Sequence, residues 1–332
     1  MFKKIDDFEP FPGMDHYLAQ TIFGSYFNFE RAAKSQQEFV QLPDGDKLAM
    51  QLATPKLWKP TDLTVVFLHG LCGSENSAYL IRMTNRVVHQ GFRAVRMNMR
   101  GCGSGRGHAK QFYHCGSSPD VFHALDHIRS KTPLSPVILI GFSLGGHLVL
   151  KMAADLKDKA AQVVDAVIAV SPPVNLLSSV QLLSHPDNRL FENYFSKLLI
   201  DNICYLQKKF PEIEPFTFPE QMPLMEFDEQ YVAPRLGFKS AFDYYDKCSS
   251  LPLLSDLQVK TKILLSLDDP IINPTDVHDV KLPDHVEVYQ TQGGGHLGFL
   301  GKPHQSYGFR WMDGILMDWI VKFWKEIKAK SS

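Results

Sequence analysis

A serine lies between two glycines at a point where strand-forming residues give way to helix-forming ones. The segment from Val137 reads Val-Ile-Leu-Ile-Gly-Phe-Ser-Leu-Gly-Gly, and a helix-compatible stretch follows at once. This order is typical of a nucleophile elbow, a sharp turn that lifts a serine hydroxyl above the edge of a sheet. Gly141 and Gly145 suit such a turn because strand and helix backbones approach too closely there for a Cβ. The pattern predicts that Ser143 is a nucleophile.

Such a serine needs an acidic partner, expected at the end of a later buried strand. The apolar run 262–267 is a candidate strand, and it ends at Asp268 and Asp269. A carboxylate there could accept a hydrogen bond from a histidine Nδ1–H and stabilise the imidazolium formed during attack. Asp269 is our first choice and Asp268 the alternative acid. The two aspartates could also merely begin a turn before Pro270.

The general base is expected after one more strand, and residues 285–290 supply that strand. Behind it comes Gly293-Gly294-Gly295-His296-Leu297-Gly298, a flexible loop that lets one histidine reach the serine. The neutral form of a histidine can take a serine proton and return it to a leaving group. We therefore predict that His296 is the base, and that the chain carries a triad in the order Ser, Asp, His. The alternative is that His296 has only a structural role and packs under the glycine-rich loop. That role would explain neither the presence of the glycines nor the chain order of serine, aspartate and histidine.

Two backbone N–H groups must face the oxygen that becomes negative during attack. The buried run 63–68 ends in His69-Gly70-Leu71-Cys72-Gly73, where this kind of fold places half of its oxyanion hole. The N–H groups of Leu71 and Leu144 are the predicted donors. Losing one such donor typically costs about 3 kcal/mol of transition-state stabilisation.

Composition and charge restrict the class of protein. The chain has 332 residues, of which 44% are hydrophobic and 21% charged, and its formal net charge is −1. These values are typical of a globular protein, and without a basic run they argue against nucleic acid as a partner. Five cysteines without a Cys-x-x-Cys spacing argue against a disulfide framework or a zinc site. Neither a signal peptide nor a transmembrane segment is evident, so we expect a cytoplasmic protein.

The elements that must position these residues alternate between strands and helices. Such alternation predicts an α/β fold with a mostly parallel sheet and helices on both faces. A hairpin around Asp44-Gly45 precedes it, because Asp-Gly between alternating strands is a strong turn signal. The predicted strands are 63–68, 93–98, 136–141, 165–170, 262–267 and 285–290, and the predicted helices are 77–90, 118–130 and 144–157.

The alternation breaks once, and this break defines the predicted domain organisation. We expect an N-terminal segment, 1–36, packed on the body, an α/β core of residues 37–170 and 256–332, and a helical lid insertion, 171–255. The insertion should lie over the carboxyl ends of the strands, where the triad is. Its aromatic residues could line an acyl pocket or only pack the lid onto the body.

The C-terminal stretch places apolar residues on one helical face. Leu316, Trp319, Ile320 and Phe323 follow helical spacing, with several lysines elsewhere. A membrane-surface helix would show the same face. We favour a final helix packed on the sheet, because an α/β fold needs cover there.

These motifs resemble the α/β-hydrolase superfamily, and within it the YheT-like esterase and lipase branch. The general resemblance rests on His69-Gly70-Leu71, the Ser143 elbow, Asp269 and Gly295-His296. The branch-level resemblance rests on segments 16–22, 98–103 and 113–116, and it extends over most of the chain. In related hydrolases the acid usually precedes Pro or Arg and an apolar pair, which implies Asp269. The resemblance also implies esters of short to medium acyl chains as substrates.

The sequence thus predicts a serine hydrolase that cleaves a small-molecule ester or lipid through an acyl-enzyme intermediate, with no metal or organic cofactor. One alternative is an acyltransferase that uses the same triad with an alcohol acceptor. Another is a non-catalytic binding protein on a hydrolase fold. The oligomeric state does not follow from the sequence.

Overall fold

The computed structural model describes residues 2–5, 8–24 and 27–331, and within them nine strands form one sheet. The strands, including a separate pair at the end, are β1 Phe2–Lys4, β2 Gln36–Gln41, β3 Lys47–Ala53, β4 Thr64–Leu68, β5 Arg93–Met97, β6 Val137–Phe142, β7 Ala166–Val170, β8 Lys260–Ser266, β9 Val286–Thr291, β10 Leu300–His304 and β11 Gly308–Arg310. The sheet order is β1-β9-β8-β7-β6-β4-β5-β3-β2, with β10 and β11 paired outside it.

The sheet is parallel except at the end formed by the predicted hairpin. β2 pairs antiparallel with β3, and β3 pairs antiparallel with β5. The other neighbours run parallel, so the loops that follow β4, β6, β8 and β9 meet at one edge of the sheet. The predicted α/β fold is therefore confirmed. The six predicted core strands lie within two residues of the observed bounds, whereas β1, β10 and β11 were not predicted.

Helices cover both faces of the sheet. Their bounds are α1 Tyr17–Ala19, α2 Ala78–His89, α3 Ser118–Lys131, α4 Leu144–Leu156, α5 Leu176–Leu183, α6 Arg189–Lys209, α7 Leu224–Phe227, α8 Ala233–Arg235, α9 Ala241–Cys248 and α10 Trp311–Ser331. Short 3₁₀ or π turns lie at Gln20–Gly24, Gly103–Gly105, Lys157–Gln162, Pro186–Asn188, Asp228–Val232 and Leu251–Asp256.

The side chains of strand β6 show why helices must cover both faces of the sheet. Val137 and Leu139 point into one apolar core, which also contains residues of α3 and α4. Ile138, Ile140 and Phe142 point into a second core, shared with α2 and α10. Since side chains alternate across a strand, a strand that is apolar on both faces fits only a sheet with cover on each side.

The C-terminal helix lies against the second core. Leu316, Trp319, Ile320 and Phe323 of α10 are all buried there. The packed helix is thus confirmed over the membrane-surface alternative. No helix of the described residues has the length and apolar character to cross a bilayer.

Helices α5 to α9 fall within the segment 171–255 that interrupts the βα alternation, between β7 and β8. They enclose an aromatic cluster of their own, with Phe227, Tyr231, Tyr244 and Tyr245 buried in it. The predicted N-terminal segment 1–36 contributes β1, α1 and the π turn Gln20–Gly24. Its residues 1, 6, 7, 25 and 26, and residue 332 of the predicted core, lie outside the described residues.

Candidate active site

The turn between β6 and α4 holds Ser143 in an uncommon backbone conformation. Its φ is 53° and its ψ is −124°, a combination that residues other than glycine rarely adopt. The flanking glycines explain how the turn fits. A Cβ on Gly141 would lie 2.2 Å from the carbonyl oxygen of Gly145, and a Cβ on Gly145 would lie 2.4 Å from that of His69. Neither position accepts a side chain without backbone movement.

Ser143, His296 and Asp269 form one hydrogen-bonded chain across three loops of the sheet edge. His296 Nε2 lies 2.8 Å from Ser143 Oγ, and His296 Nδ1 lies 2.8 Å from Asp269 Oδ2 and 3.1 Å from Oδ1. Because a carboxylate only accepts, the ring proton is on Nδ1 and Nε2 is free to accept from the serine hydroxyl. Asp269 and His296 are both 6% exposed. This arrangement can deprotonate a serine and stabilise the imidazolium that results.

The two adjacent aspartates have different partners. Asp269 Oδ1 accepts hydrogen bonds from the N–H groups of Ile271, at 2.9 Å, and Ile272, at 3.2 Å, which orient the carboxylate toward His296. Asp268 instead accepts from Gly295 N–H at 2.8 Å and from the Ser266 hydroxyl. The geometry therefore favours Asp269 as the acid of the site. Asp268 ties the glycine loop to the end of β8.

The histidine loop is also held by residues from the N-terminal segment. Thr21 Oγ1 accepts a hydrogen bond from His296 N–H at 2.9 Å and donates one to Tyr17 O at 2.8 Å. The Gln20 side chain, wholly buried, donates to Leu300 O at 3.0 Å and accepts from Leu300 N–H at 2.6 Å. These contacts restrict a loop whose glycines would otherwise leave it mobile.

The loop after β4 has its shape set by two tyrosine hydroxyls. Gly70 N–H donates to Tyr79 Oη at 3.0 Å, and Cys72 N–H donates to Tyr113 Oη at 2.9 Å, with Cys72 at a φ of 56°. Burial raises the pKa of both phenols, so they stay neutral. Leu71 lies between these two anchored residues. Among the described residues, neither the Leu71 N–H nor that of Leu144, the first residue of α4, has a protein acceptor.

Other histidines near the elbow are committed to structural hydrogen bonds. His69 Nε2 accepts from Met99 N–H at 3.1 Å, and His147 lies within 3.0 Å of Ser250 Oγ and of Cys115 O. Burial lowers the pKa of each ring to about 4, so both are neutral at neutral pH. Neither makes a hydrogen bond to Ser143, which leaves His296 as the base that the geometry supports.

Two cavities meet at Ser143. One extends under the helices of the 171–255 segment and is lined mainly by apolar and aromatic side chains, including Leu144, Phe195, Phe227 and Tyr244. The other lies on the side of the loop after β4 and has a more polar wall, which includes Thr21, Ser74 and Ser77 together with His296. Leu71 borders both. A group bound at Ser143 can therefore extend in two chemically different directions.

Comparison with known proteins assigns the family. The family described as alpha/beta hydrolase fold matches residues 64–303, and the chain belongs to it. The particular branch is the YheT-like one: the chain is 27% identical to Escherichia coli YheT, whose name describes it as a candidate esterase, over 99% of this chain and 96% of that protein. Human phospholipase ABHD3 is 23% identical, over 91% of this chain and 75% of its own length. The predicted superfamily and branch are thus confirmed.

Solved structures agree at the level of the fold. The esterase Pf2001 of Pyrococcus furiosus superimposes with a TM-score of 0.56 over 92% of this chain and 98% of that chain, at 14% identity. At such an identity the likeness shows the arrangement of strands and helices only. The residues of the candidate site are therefore assigned from their own geometry.

Sequence reasoning missed several residues that shape the site. Four side chains act through hydrogen bonds to backbone groups. Tyr79 contacts Gly70, nine positions away, whereas Tyr113, Gln20 and Thr21 contact residues at least 41 positions away. Of these, Gln20 and Thr21 fall in one of the segments that carry the branch-level resemblance, so a signal was present without its physical reason. Tyr79 lies in the predicted helix 77–90 and Tyr113 in another such segment, but nothing local indicated either contact.

Proposed function

We propose that this protein is a serine hydrolase of carboxylic esters that acts through an acyl-enzyme intermediate. The observation that carries the proposal is the hydrogen-bonded chain from Asp269 through His296 to Ser143 Oγ, with 2.8 Å at each link. An esterase or lipase-type activity is also what the names of the YheT and ABHD3 relatives describe.

The geometry supports a two-step reaction. His296 Nε2 takes the hydroxyl proton as Ser143 Oγ attacks the ester carbonyl, and Asp269 stabilises the imidazolium. The N–H groups of Leu71 and Leu144 donate to the oxyanion. His296 then returns the proton to the leaving alcohol as the carbon–oxygen bond breaks. A water molecule, deprotonated by His296, attacks the acyl-serine and releases the carboxylic acid.

The two cavities suggest how an ester lies in the site. The apolar cavity under the proposed lid, residues 171–255, suits a hydrocarbon acyl chain, because burying methylene groups there is favourable by about 0.8 kcal/mol each. The more polar cavity beside the loop after β4 suits the alcohol portion. We propose acyl groups of short to medium length as the substrates.

A fluorophosphonate probe tests the proposal directly, because it labels an activated serine and leaves an ordinary serine unlabelled. We expect covalent labelling of the wild-type protein at Ser143 and no labelling of Ser143→Ala. Hydrolysis of a p-nitrophenyl ester should fall by about 10⁶-fold in kcat in the same variant. A folded wild-type protein that is neither labelled nor active would sink the proposal and favour a binding protein on a hydrolase fold.

The same acyl-enzyme can transfer its acyl group to an alcohol instead of water. Product analysis with and without added alcohol separates the two outcomes. We expect free carboxylic acid as the main product in water. A new ester as the main product, at an alcohol concentration far below that of water, would assign the protein as an acyltransferase.

A further inference from the structure

One carboxylate lines the apolar cavity and is used neither by the proposed mechanism nor by an ion pair. Asp228 follows α7 in the 171–255 segment, and it borders the same cavity as Ser143. Ser143 belongs to the body of the fold, whereas Asp228 belongs to the wall formed by the helices above it. An acyl chain attached to Ser143 and lying in this cavity would therefore run toward that wall.

The surroundings of Asp228 are aromatic and offer it one hydrogen bond. Tyr245 Oη donates to Asp228 Oδ2 at 2.7 Å. Phe227, Tyr244 and Tyr245 also line the cavity. Among the described residues, Asp228 Oδ1 has no hydrogen-bond partner, and no ion pair includes this carboxylate. Asp228 is half-buried and its Oδ1 is not among the fully buried atoms without a partner, so a molecule in the cavity can reach this oxygen and donate a hydrogen bond to it.

Among the described residues, no hydrogen bond or ion pair joins this carboxylate to a positively charged side chain. The titratable groups that interact with it electrostatically include Tyr244 and Tyr245 on α9 and Cys115 in the loop before α3, and Glu229 follows it in the chain. Burial raises the pKa of the Cys115 thiol and of both phenols, so these three are neutral at neutral pH. Burial also raises the pKa of Asp228 to about 7, against the lowering effect of the Tyr245 hydrogen bond. Whether protonated or ionised, the group retains an oxygen that can accept a hydrogen bond.

We propose that Asp228 is a specificity-determining residue that accepts a hydrogen bond from a hydroxyl group on the acyl chain, so that the preferred substrates are esters of hydroxylated acyl groups. This inference rests on the proposed esterase function and deepens it. A hydroxyl supplies the missing donor without bringing charge into an apolar cavity. A plain alkyl chain would displace water from Asp228 and leave its oxygen without a hydrogen-bond donor. A pocket that contains such a polar group therefore discriminates strongly against substrates that lack the hydroxyl.

The test compares two matched series of p-nitrophenyl esters, from butanoyl to dodecanoyl, with and without a hydroxyl on the terminal carbon. We expect kcat/KM for the hydroxylated ester to exceed that for the plain ester by about 10-fold at one chain length, where the hydroxyl reaches Asp228. The ratio should fall to one or below in Asp228→Leu and persist in part in Asp228→Asn, which keeps an acceptor. Glu226→Leu, an exposed position on the neighbouring α7, serves as the matched control and should leave the ratio unchanged.

A ratio that is the same in the wild type and in Asp228→Leu would overturn the inference, as would a wild-type preference for the plain ester at every length. Fluorophosphonate labelling of each variant shows that Ser143 remains reactive and that the variant is folded. If the wild type is not labelled, the proposed function fails, and calorimetry tests the subsite without catalysis by comparing each terminally hydroxylated acid, from butanoic to dodecanoic, with its plain acid. We then expect the hydroxy acid to bind the wild type more tightly than the plain acid at one chain length, and this preference to be lost in Asp228→Leu. A preference that is absent at every length, or that is the same in both proteins, would overturn the subsite.

Discussion

Thr21 Oγ1 accepts a hydrogen bond from the backbone N–H of His296 at 2.9 Å, although 275 positions separate the two residues. The contact joins the N-terminal segment to the loop that carries the proposed general base. Gly295 shows how tightly the two segments pack, because a Cβ on it would lie 2.5 Å from Tyr17 O. The N-terminal segment is therefore part of the candidate site's framework.

Replacing Thr21 by valine should impair catalysis without changing the cavity walls greatly. Valine keeps the shape but leaves the buried His296 N–H without its acceptor, which costs about 1–3 kcal/mol. We expect kcat for a p-nitrophenyl ester to fall by about 10-fold, with a smaller change in KM because valine keeps the shape of the cavity wall and removes one hydroxyl from it. Thr21→Ser, which keeps the hydroxyl, should restore most of the activity. Equal activity in the valine and serine variants would show that the hydrogen bond does not position His296.

The adjacent aspartates should respond differently to the same substitution. Asp269→Asn keeps the shape but disfavours the His296 tautomer with its proton on Nδ1, so kcat should fall by about 10⁴-fold. Asp268→Asn weakens the hydrogen bonds that Asp268 accepts from Gly295 N–H and from the Ser266 hydroxyl, and should lower kcat by about 10-fold. The measurement is the steady-state rate of each purified variant, with circular dichroism as the folding control. A larger loss in Asp268→Asn would make Asp268 the acid.

The elbow glycines should be intolerant of alanine. A Cβ at Gly145 would meet the carbonyl oxygens of His69 and Leu68, which belong to the backbone and cannot move aside alone. We expect Gly145→Ala to lower the free energy of unfolding by at least about 1–3 kcal/mol, as overpacking does, or to prevent folding. At Gly105 a Cβ would lie 3.5 Å from Ala49 Cβ, an ordinary contact, so Gly105→Ala is the matched control. Urea unfolding of both variants checks the prediction, and similar stabilities would contradict it.

Asp228 should make the stability of the protein depend on pH. Its pKa in the folded protein is raised to about 7, so the folded state holds the proton more tightly than the unfolded chain. The stabilising contribution of the protonated group is full at low pH and is lost as the pH rises through about 7. Asp228→Asn should therefore unfold at a similar temperature to the wild type at pH 4 and at a higher temperature at pH 8.

At pH 8 the free energy of unfolding of Asp228→Asn should exceed that of the wild type by an amount on the order of a few kcal/mol. Thermal unfolding at the two pH values measures it, with Asp126→Asn, an exposed position on α3, as the control. A difference between the wild type and Asp228→Asn that does not change with pH would mean that Asp228 titrates in its ordinary range.

The amino-acid sequence by itself determined the six core strands, the helices α2, α3 and α4 between them, and the chain order of the serine, an aspartate and the histidine. These features depend on local signals. Apolar runs specify buried strands, glycines permit the elbow turn, and parallel pairing brings the carboxyl ends of β4, β6, β8 and β9 to one edge. Any chain with this alternation must place those loops together.

The tertiary structure alone decided which of the two aspartates reaches His296, how Thr21 and Gln20 hold the histidine loop, and where Asp228 lies. Asp268 and Asp269 follow the same strand, and their different partners arise from the N–H groups that each carboxylate meets in space. Thr21 and Asp228 are ordinary polar residues in their local sequence. Their positions depend on packing between segments far apart in the chain, which no local propensity or periodicity specifies.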